Sequence, residues 1–321
     1  MRAADEQILN DAYSWLQQGH TVWLCTIVEV VGASPRPKGA LLAFSDAGLV
    51  SGSISGGCVE DELLERLPEE LPSGIRLQQF GLSAEENERL GLPCGGRLNI
   101  LVQAINPGDM ALMTQLQTMI GAMAERRIVR RQVDLNSGAW RLSFPDAASG
   151  IELQEQRLQQ DFGPRFRLLL VGANELGRCL AELASSMDYQ VFVCDPRDHA
   201  RRSWRETEFP LLDCMPDDAV REYAGDEHSI VLTLTHDPRV DDMALMEALQ
   251  RPLFYIGALG SVRTSDKRRT RLQALDLSEQ QIGALQAPMG LGIGSKTPME
   301  IAIATMADLI QKRRAMAKSR D

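Results

Sequence analysis

The sequence predicts an α/β protein: an N-terminal α+β domain followed by a Rossmann-like domain with a mainly parallel sheet. Two observations predict it. Residues 166–172 (FRLLLVG) form a short apolar strand entering a glycine turn; a helix through Ala184 and a strand over 190–194 ending at Asp195 complete a βαβ unit. Upstream of this unit, short apolar runs alternate with amphipathic helices between Gly, Pro and Ser breakers, without the regular βαβ order.

In the first domain, Ile8, Leu9, Ala12, Trp15 and Leu16 lie on one face of a helix that stops at Gly19. Residues 22–31 are a buried strand, 32–39 a loop, and 40–45 and 48–51 two short strands about the turn Asp46-Ala47-Gly48. A helix comes after Cys58, then a strand over 75–80, a helix over 84–90 and a strand over 98–102. The methionine-rich stripe of the helix over 107–127 suits core packing. Strands are expected at 128–135 and 140–143, and Pro145, Ser149 and Gly150 break the polar stretch beyond them. The expected organisation is therefore a domain over 1–145, a linker over 146–165 and a Rossmann-like domain over 166–321. In the latter, apolar runs at 230–235 and 254–256 flank a helix over 240–249, which implies parallel strands. Thr297 and Pro298 open the last helix as N-cap and first residue. The cations Arg263, Lys267, Arg268, Arg269 and Arg271 suggest a solvated helix face, and the tail over 312–320 a solvated end.

A net charge of −10 argues against nonspecific nucleic-acid binding, which needs a basic footprint. No apolar run approaches membrane-spanning length, and Asp5 and Glu6 stand where a secretory signal has its apolar core. A cytoplasmic protein with no membrane association is expected. The six cysteines are dispersed without a Cys-x-x-Cys pair, so free thiols are the default. Neither the four histidines nor the cysteines show metal-ligand spacing.

The chemistry-bearing candidates lie in two loops. Ser53 to Glu62 (SISGGCVEDE) sets Cys58 at the exit of a small-residue loop, ahead of the helical pattern Val59, Leu63, Leu64, Leu67. Free N–H groups and the helix dipole there favour a thiolate, and Gly56 and Gly57 would let a ligand anion reach the backbone. Cys94, Gly95 and Gly96 repeat the theme 36 residues later, which suggests one shared pocket. The alternative is a buried thiol at a tight turn.

In the second domain the nucleotide fingerprint runs Gly172-Ala173-Asn174-Glu175-Leu176-Gly177, with Asn174 in place of the middle glycine and Glu175 adding repulsion toward phosphate. Asp195 has the spacing of a ribose-binding acid, or is a strand-end turn residue before Pro196. The fold is indicated more strongly than a bound dinucleotide.

Three blocks together resemble the xanthine dehydrogenase accessory protein (XdhC/CoxI) family. They are GASPRPKGALLAF with GLVSGSISGGCVEDELL, LLLVGANELGRCLAELA with VCDPR, and YIGALGSVRTSDKRRTRL with APMGLGIGSKTPMEIAIATMADL. The resemblance implies a chaperone, not an enzyme. It would bind molybdenum cofactor, as molybdopterin or its cytosine dinucleotide form, protect it while a cysteine desulfurase supplies sulfur, and insert it into the large subunit of a molybdenum hydroxylase. Cys58 matches the family's GGC cysteine and is expected to contact the cofactor's molybdenum or sulfur; Gly56, Gly57, Glu60, Cys94, Gly95 and Gly96 complete the expected site. The alternatives are an NAD(P)-dependent oxidoreductase, a persulfide carrier using Cys58, and a scaffold with no small ligand. A homodimer is expected because symmetric dimers are the commonest oligomers.

Overall fold

The computed structural model describes residues 5–32, 36–81, 97–204 and 208–318, and the chain divides after Pro164 into two compact units. The first is built on a five-stranded antiparallel sheet, order β3-β2-β1-β5-β4. Its strands are β1 (Val22–Val31), β2 (Leu41–Ser45), β3 (Val50–Gly52), β4 (Gly74–Phe80) and β5 (Arg97–Ile105). Seven consecutive buried residues in β1 explain its continuous apolar run: both faces of this strand are covered. Helix α1 (Asp5–Gln17) and α3 (Met110–Ala124) pack on one face, with Leu24, Leu101, Leu116 and Met119 in that core. On the other, α2 (Cys58–Glu70) lays Val59, Leu63 and Leu67 against Trp23, Cys25, Ile27 and Ile100. The helix expected over 84–90 lies outside the described residues.

Residues 151–162, inside the stretch expected to be a linker, instead form two strands. They are β8 (Ile151–Gln154) and β9 (Arg157–Phe162), which join β6 (Val129–Asp134) and β7 (Trp140–Ser143) in a four-stranded antiparallel sheet, order β7-β6-β9-β8. The alternation that marks β9, with Leu158, Gln160 and Phe162 facing inward, is masked in the sequence because one inward residue is a glutamine. Gln160 accepts from the buried guanidinium of Arg131 at 2.8 Å and donates to the Gly39 carbonyl at 2.9 Å.

The second unit has a six-stranded parallel sheet, order β12-β11-β10-β13-β14-β15. Its strands are β10 (Arg167–Val171), β11 (Gln190–Cys194), β12 (Leu211–Leu212), β13 (Ser229–Thr233), β14 (Tyr255–Ala258) and β15 (Leu285–Gln286). Helices α4 (Glu175–Ser186) and α10 (Pro298–Lys318) cover one face through Leu180, Ala184, Ala302 and Met306. Beyond the short α5 (Asp198–Ser203), helices α6 (Pro216–Tyr223), α7 (Pro238–Ala248) and α8 (Val262–Ala274) cover the other, and α9 (Glu279–Gly283) leads into β15. The sheet is doubly wound, with the switch in direction between β10 and β13.

Two surface expectations are corrected. The basic run on α8 is partly interior: Arg268 is 2% exposed and paired with Asp241 at 3.0 Å, Arg271 binds Asp242 at 2.7 Å, and Arg269 donates to the Ala287 carbonyl at 2.8 Å. A charge run reads as solvated because the acids that neutralise it lie on α7, almost thirty positions earlier. In the C-terminal stretch, Lys312 donates to Gln286 at 3.0 Å and Arg313 stacks over Phe166 and Tyr189. None of the helices among the described residues is long and apolar enough to cross a membrane.

Candidate functional site

Strand register in the first unit gathers the predicted loops at one end of one sheet. β1 ends there opposite the start of β5, with Val31 paired to Arg97; β2 begins there and β3 ends there, with Leu42 paired to Gly52. The Cys58 loop departs from the end of β3, and the segment containing Cys94, Gly95 and Gly96 leads directly into Arg97. Those three residues lie outside the described residues, but the attachment point of their segment is on the same sheet end. The loop before β2 meets the Cys58 loop directly, because Arg36 Nε donates to the Ser53 carbonyl at 3.0 Å. The β1–β5 register shifts between Ile27 and Glu29, shortly before β1 reaches this end of the sheet.

Cys58 opens α2 as its first helical residue, as its spacing predicts. Gly56 has φ +93°, a left-handed turn that any β-carbon would strain, which explains a glycine at that position. The amides of Gly56 and Gly57, expected to be open to a ligand anion, donate in this structure to Glu60. Its Oε1 accepts the N–H groups of Ile54, Ser55 and Gly56 at 2.9, 2.8 and 2.9 Å and the Ser53 hydroxyl at 2.8 Å. Its Oε2 accepts the Gly57 N–H at 3.1 Å and the Ser55 hydroxyl. Glu60, expected to touch a ligand, is turned inward on its own loop. Burial alone would raise its pKa, but the Ser55 hydroxyl, the Ser55 and Gly56 amides and the Ser53 hydroxyl outweigh it and hold the carboxyl at about 2.

Ser53, Ser55 and Arg36 did not stand out in the sequence. The available signal was the three-residue spacing of Gly57 and Glu60, that of a helix-capping box whose N-cap residue has no side chain to reveal it. Beneath the loop, Cys25 is wholly buried; burial first, and the Glu60 charge second, push its thiol well above the usual range. Cys25 is therefore expected to resist iodoacetamide under conditions that alkylate Cys58, read by mass spectrometry of the digested peptides. Equal labelling of the two would contradict the choice of Cys58 as the reactive thiol.

In the second unit the fingerprint residues serve the fold. A β-carbon on Gly177 would stand 2.5 Å from the Gly172 carbonyl oxygen, so glycine there allows α4 to approach the end of β10. Asn174 caps α4 by accepting the Gly177 N–H at 2.9 Å and donates to the Leu234 carbonyl at 2.8 Å, which ties the turn after β10 to the end of β13 across the switch point. Asp195 is fully buried. It accepts the Ala173 N–H at 2.9 Å and both Nε and an Nη of Arg197, at 2.9 and 2.7 Å. Burial would raise its pKa, but Arg197 and the Ala173 amide outweigh that and lower it. A further Nη of Arg197 donates to the Thr235 carbonyl at 3.3 Å, a second tie across the switch point.

Residues 15–81 match the XdhC and CoxI family, and residues 168–309 match the XdhC Rossmann domain. The chain belongs to the XdhC and CoxI family. It is 25% identical over 95% of its length to the molybdenum cofactor insertion chaperone PaoD of Escherichia coli strain K12, covering 88% of that protein. It is also 25% identical to a probable xanthine dehydrogenase subunit of Bacillus subtilis strain 168, over 92% of this chain and 94% of that one. A crystal structure described as a xanthine dehydrogenase from Bacillus halodurans superposes with a TM-score of 0.77 at 25% identity, covering 97% of this chain and 96% of that one. The XdhC and CoxI match ends at Phe80-Gly81, so it contains the Cys58 loop and all of α2.

Proposed function

We propose that this protein is a molybdenum cofactor chaperone. It holds molybdopterin, or its cytosine dinucleotide form, at the loop end of the first unit's sheet, shields it while a cysteine desulfurase sulfurates it, and delivers it to the large subunit of a molybdenum hydroxylase. The observation that carries this reading is the near-full-length similarity to a chaperone named for cofactor insertion, which includes the Cys58 loop. The geometry supports it: strand ends, a cysteine at a helix start and the attachment of the Cys94 segment converge at one sheet end.

The site divides its tasks among different groups. Cys58 is the soft ligand offered to the cofactor's molybdenum or sulfur. With the loop amides committed to Glu60, the cofactor's phosphate is left to cations; the exposed Lys38 and Arg97 stand at this sheet end. Holding a reactive cargo calls for such contacts and not for a general acid–base pair. An NAD(P)-dependent oxidoreductase is less well supported, because Asn174 and Arg197 bridge the switch-point crevice where a dinucleotide would lie.

The test is to purify the protein from cells that make the cofactor, oxidise any bound pterin and identify it by fluorescence and mass. Wild-type protein is expected to carry pterin, and Cys58→Ala to carry several-fold less. Wild-type protein free of pterin, together with a fully active, sulfurated hydroxylase in cells lacking the chaperone, would overturn the assignment.

A further inference from the structure

The Cys58 loop is wrapped around a carboxylate supplied by its own helix. Four successive backbone N–H groups, those of Ile54, Ser55, Gly56 and Gly57, and the hydroxyls of Ser53 and Ser55 converge on the two oxygens of Glu60. An ordinary helix-capping glutamate accepts a single N–H, that of the N-cap residue. Four donors in succession form a concave nest of the kind that binds free anions. Oxygen lone pairs on one carboxylate number about four, so six donors saturate it and leave no room for a second anion.

We infer that Glu60 is a positioning residue: an internal anion that folds residues 53–57 into a closed loop and so fixes where Cys58 enters the helix. Glu60 holds the loop, since without it four amides converge on nothing and repel one another. It also excludes, since phosphate or carboxylate from a ligand cannot enter the nest while Glu60 fills it. Selectivity at this site is then for a ligand met by Cys58 and by nearby cations, not for any small anion that suits a helix N-terminus. This deepens the cofactor reading and, in its consequence for ligand choice, rests on it; the loop geometry stands without it.

Glu60→Ala is the direct test, read by amide hydrogen exchange of peptides covering residues 53–58, with thermal unfolding as a check on the fold. Exchange in the variant is expected to rise at least ~10-fold over wild type, since the loop's hydrogen bonds lose their common acceptor. Adding sodium acetate is expected to restore protection in Glu60→Ala, with no effect on wild type and none from sodium chloride at equal ionic strength. The pH profile of Cys58 alkylation supplies a readout beyond folding: Glu60→Gln removes the charge near the helix start, and the apparent thiol pKa is expected to fall. If Glu60→Ala does not fold, Glu60→Gln is carried through the exchange measurement without acetate, because its side chain still occupies the nest, and a smaller rise over wild type is expected.

Unchanged exchange in a folded variant would overturn the positioning role, and so would protection by acetate no greater than by chloride. Neither result depends on bound pterin. An unfilled pterin site in a protein whose loop behaves as expected would sink the cofactor proposal and leave Glu60's role intact.

Discussion

Asp241→Ala is expected to destabilise the second unit by about 3–5 kcal/mol, the cost of leaving a buried cation without its partner. Arg268 is 2% exposed, and Asp241 is wholly buried against it at 3.0 Å. The carboxylate does more than neutralise: it accepts the Thr235 N–H at 3.2 Å and the Thr235 hydroxyl at 2.7 Å, at the turn after β13. Burial, the largest influence on it, raises the Asp241 pKa despite these partners, so the pair is held by geometry and not by a favourable site for charge. Asp242 lies 3.9 Å from Arg268 Nε and is already engaged by Arg271, so it offers a poor substitute. Urea unfolding of Asp241→Ala, Arg268→Met and the double variant would measure the coupling. The double variant is expected to be more stable than Asp241→Ala, because removing both charges removes the unpaired one. A loss below about 1 kcal/mol for Asp241→Ala would show that the network adds little.

This network also marks the limit of what the sequence made legible. Periodicity found the strand over 22–31 and the unit from β10 to β11 because burial of both faces, or of one helix stripe, writes itself into neighbouring residues. Arg268 could not be found that way. Its burial depends on Asp241, brought near only by packing of α7 against α8. The strands at 151–162 were missed for a related reason: Gln160 faces inward to serve Arg131 and Gly39, partners 29 and 121 positions away. At the candidate site, Cys58 and the helix start were legible as a local pattern. The direction of the loop amides was not. Gly56 and Gly57 favour a nest, but whether a ligand or Glu60 fills it depends on a side chain folding back, which composition does not encode.

The same carboxylate gives the first unit a pH dependence of calculable sign. Glu60 ionises at about 2 in the folded protein, against about 4.5 in its ordinary state, so an unfolded chain takes up the proton first as the pH falls. Its stabilisation is therefore complete above about pH 4.5, declines below that and is gone once the pH falls through about 2. The difference corresponds to about 2–3 kcal/mol after allowance for partial solvent screening, and more than half of it is lost between roughly pH 5 and pH 3. Other carboxylates of the unit act in the same direction: Asp161, where burial is outweighed by Arg130 and Ser149, is also held low. The diagnostic quantity is thus a difference between proteins. Urea unfolding at pH 5 and pH 3 is expected to show a smaller acid-induced loss for Glu60→Gln than for wild type, because the variant has already forfeited this contribution at pH 5. Equal losses in the two proteins would mean that the six donors around Glu60 do not hold its proton affinity down, and that the loop is organised by something other than its charge.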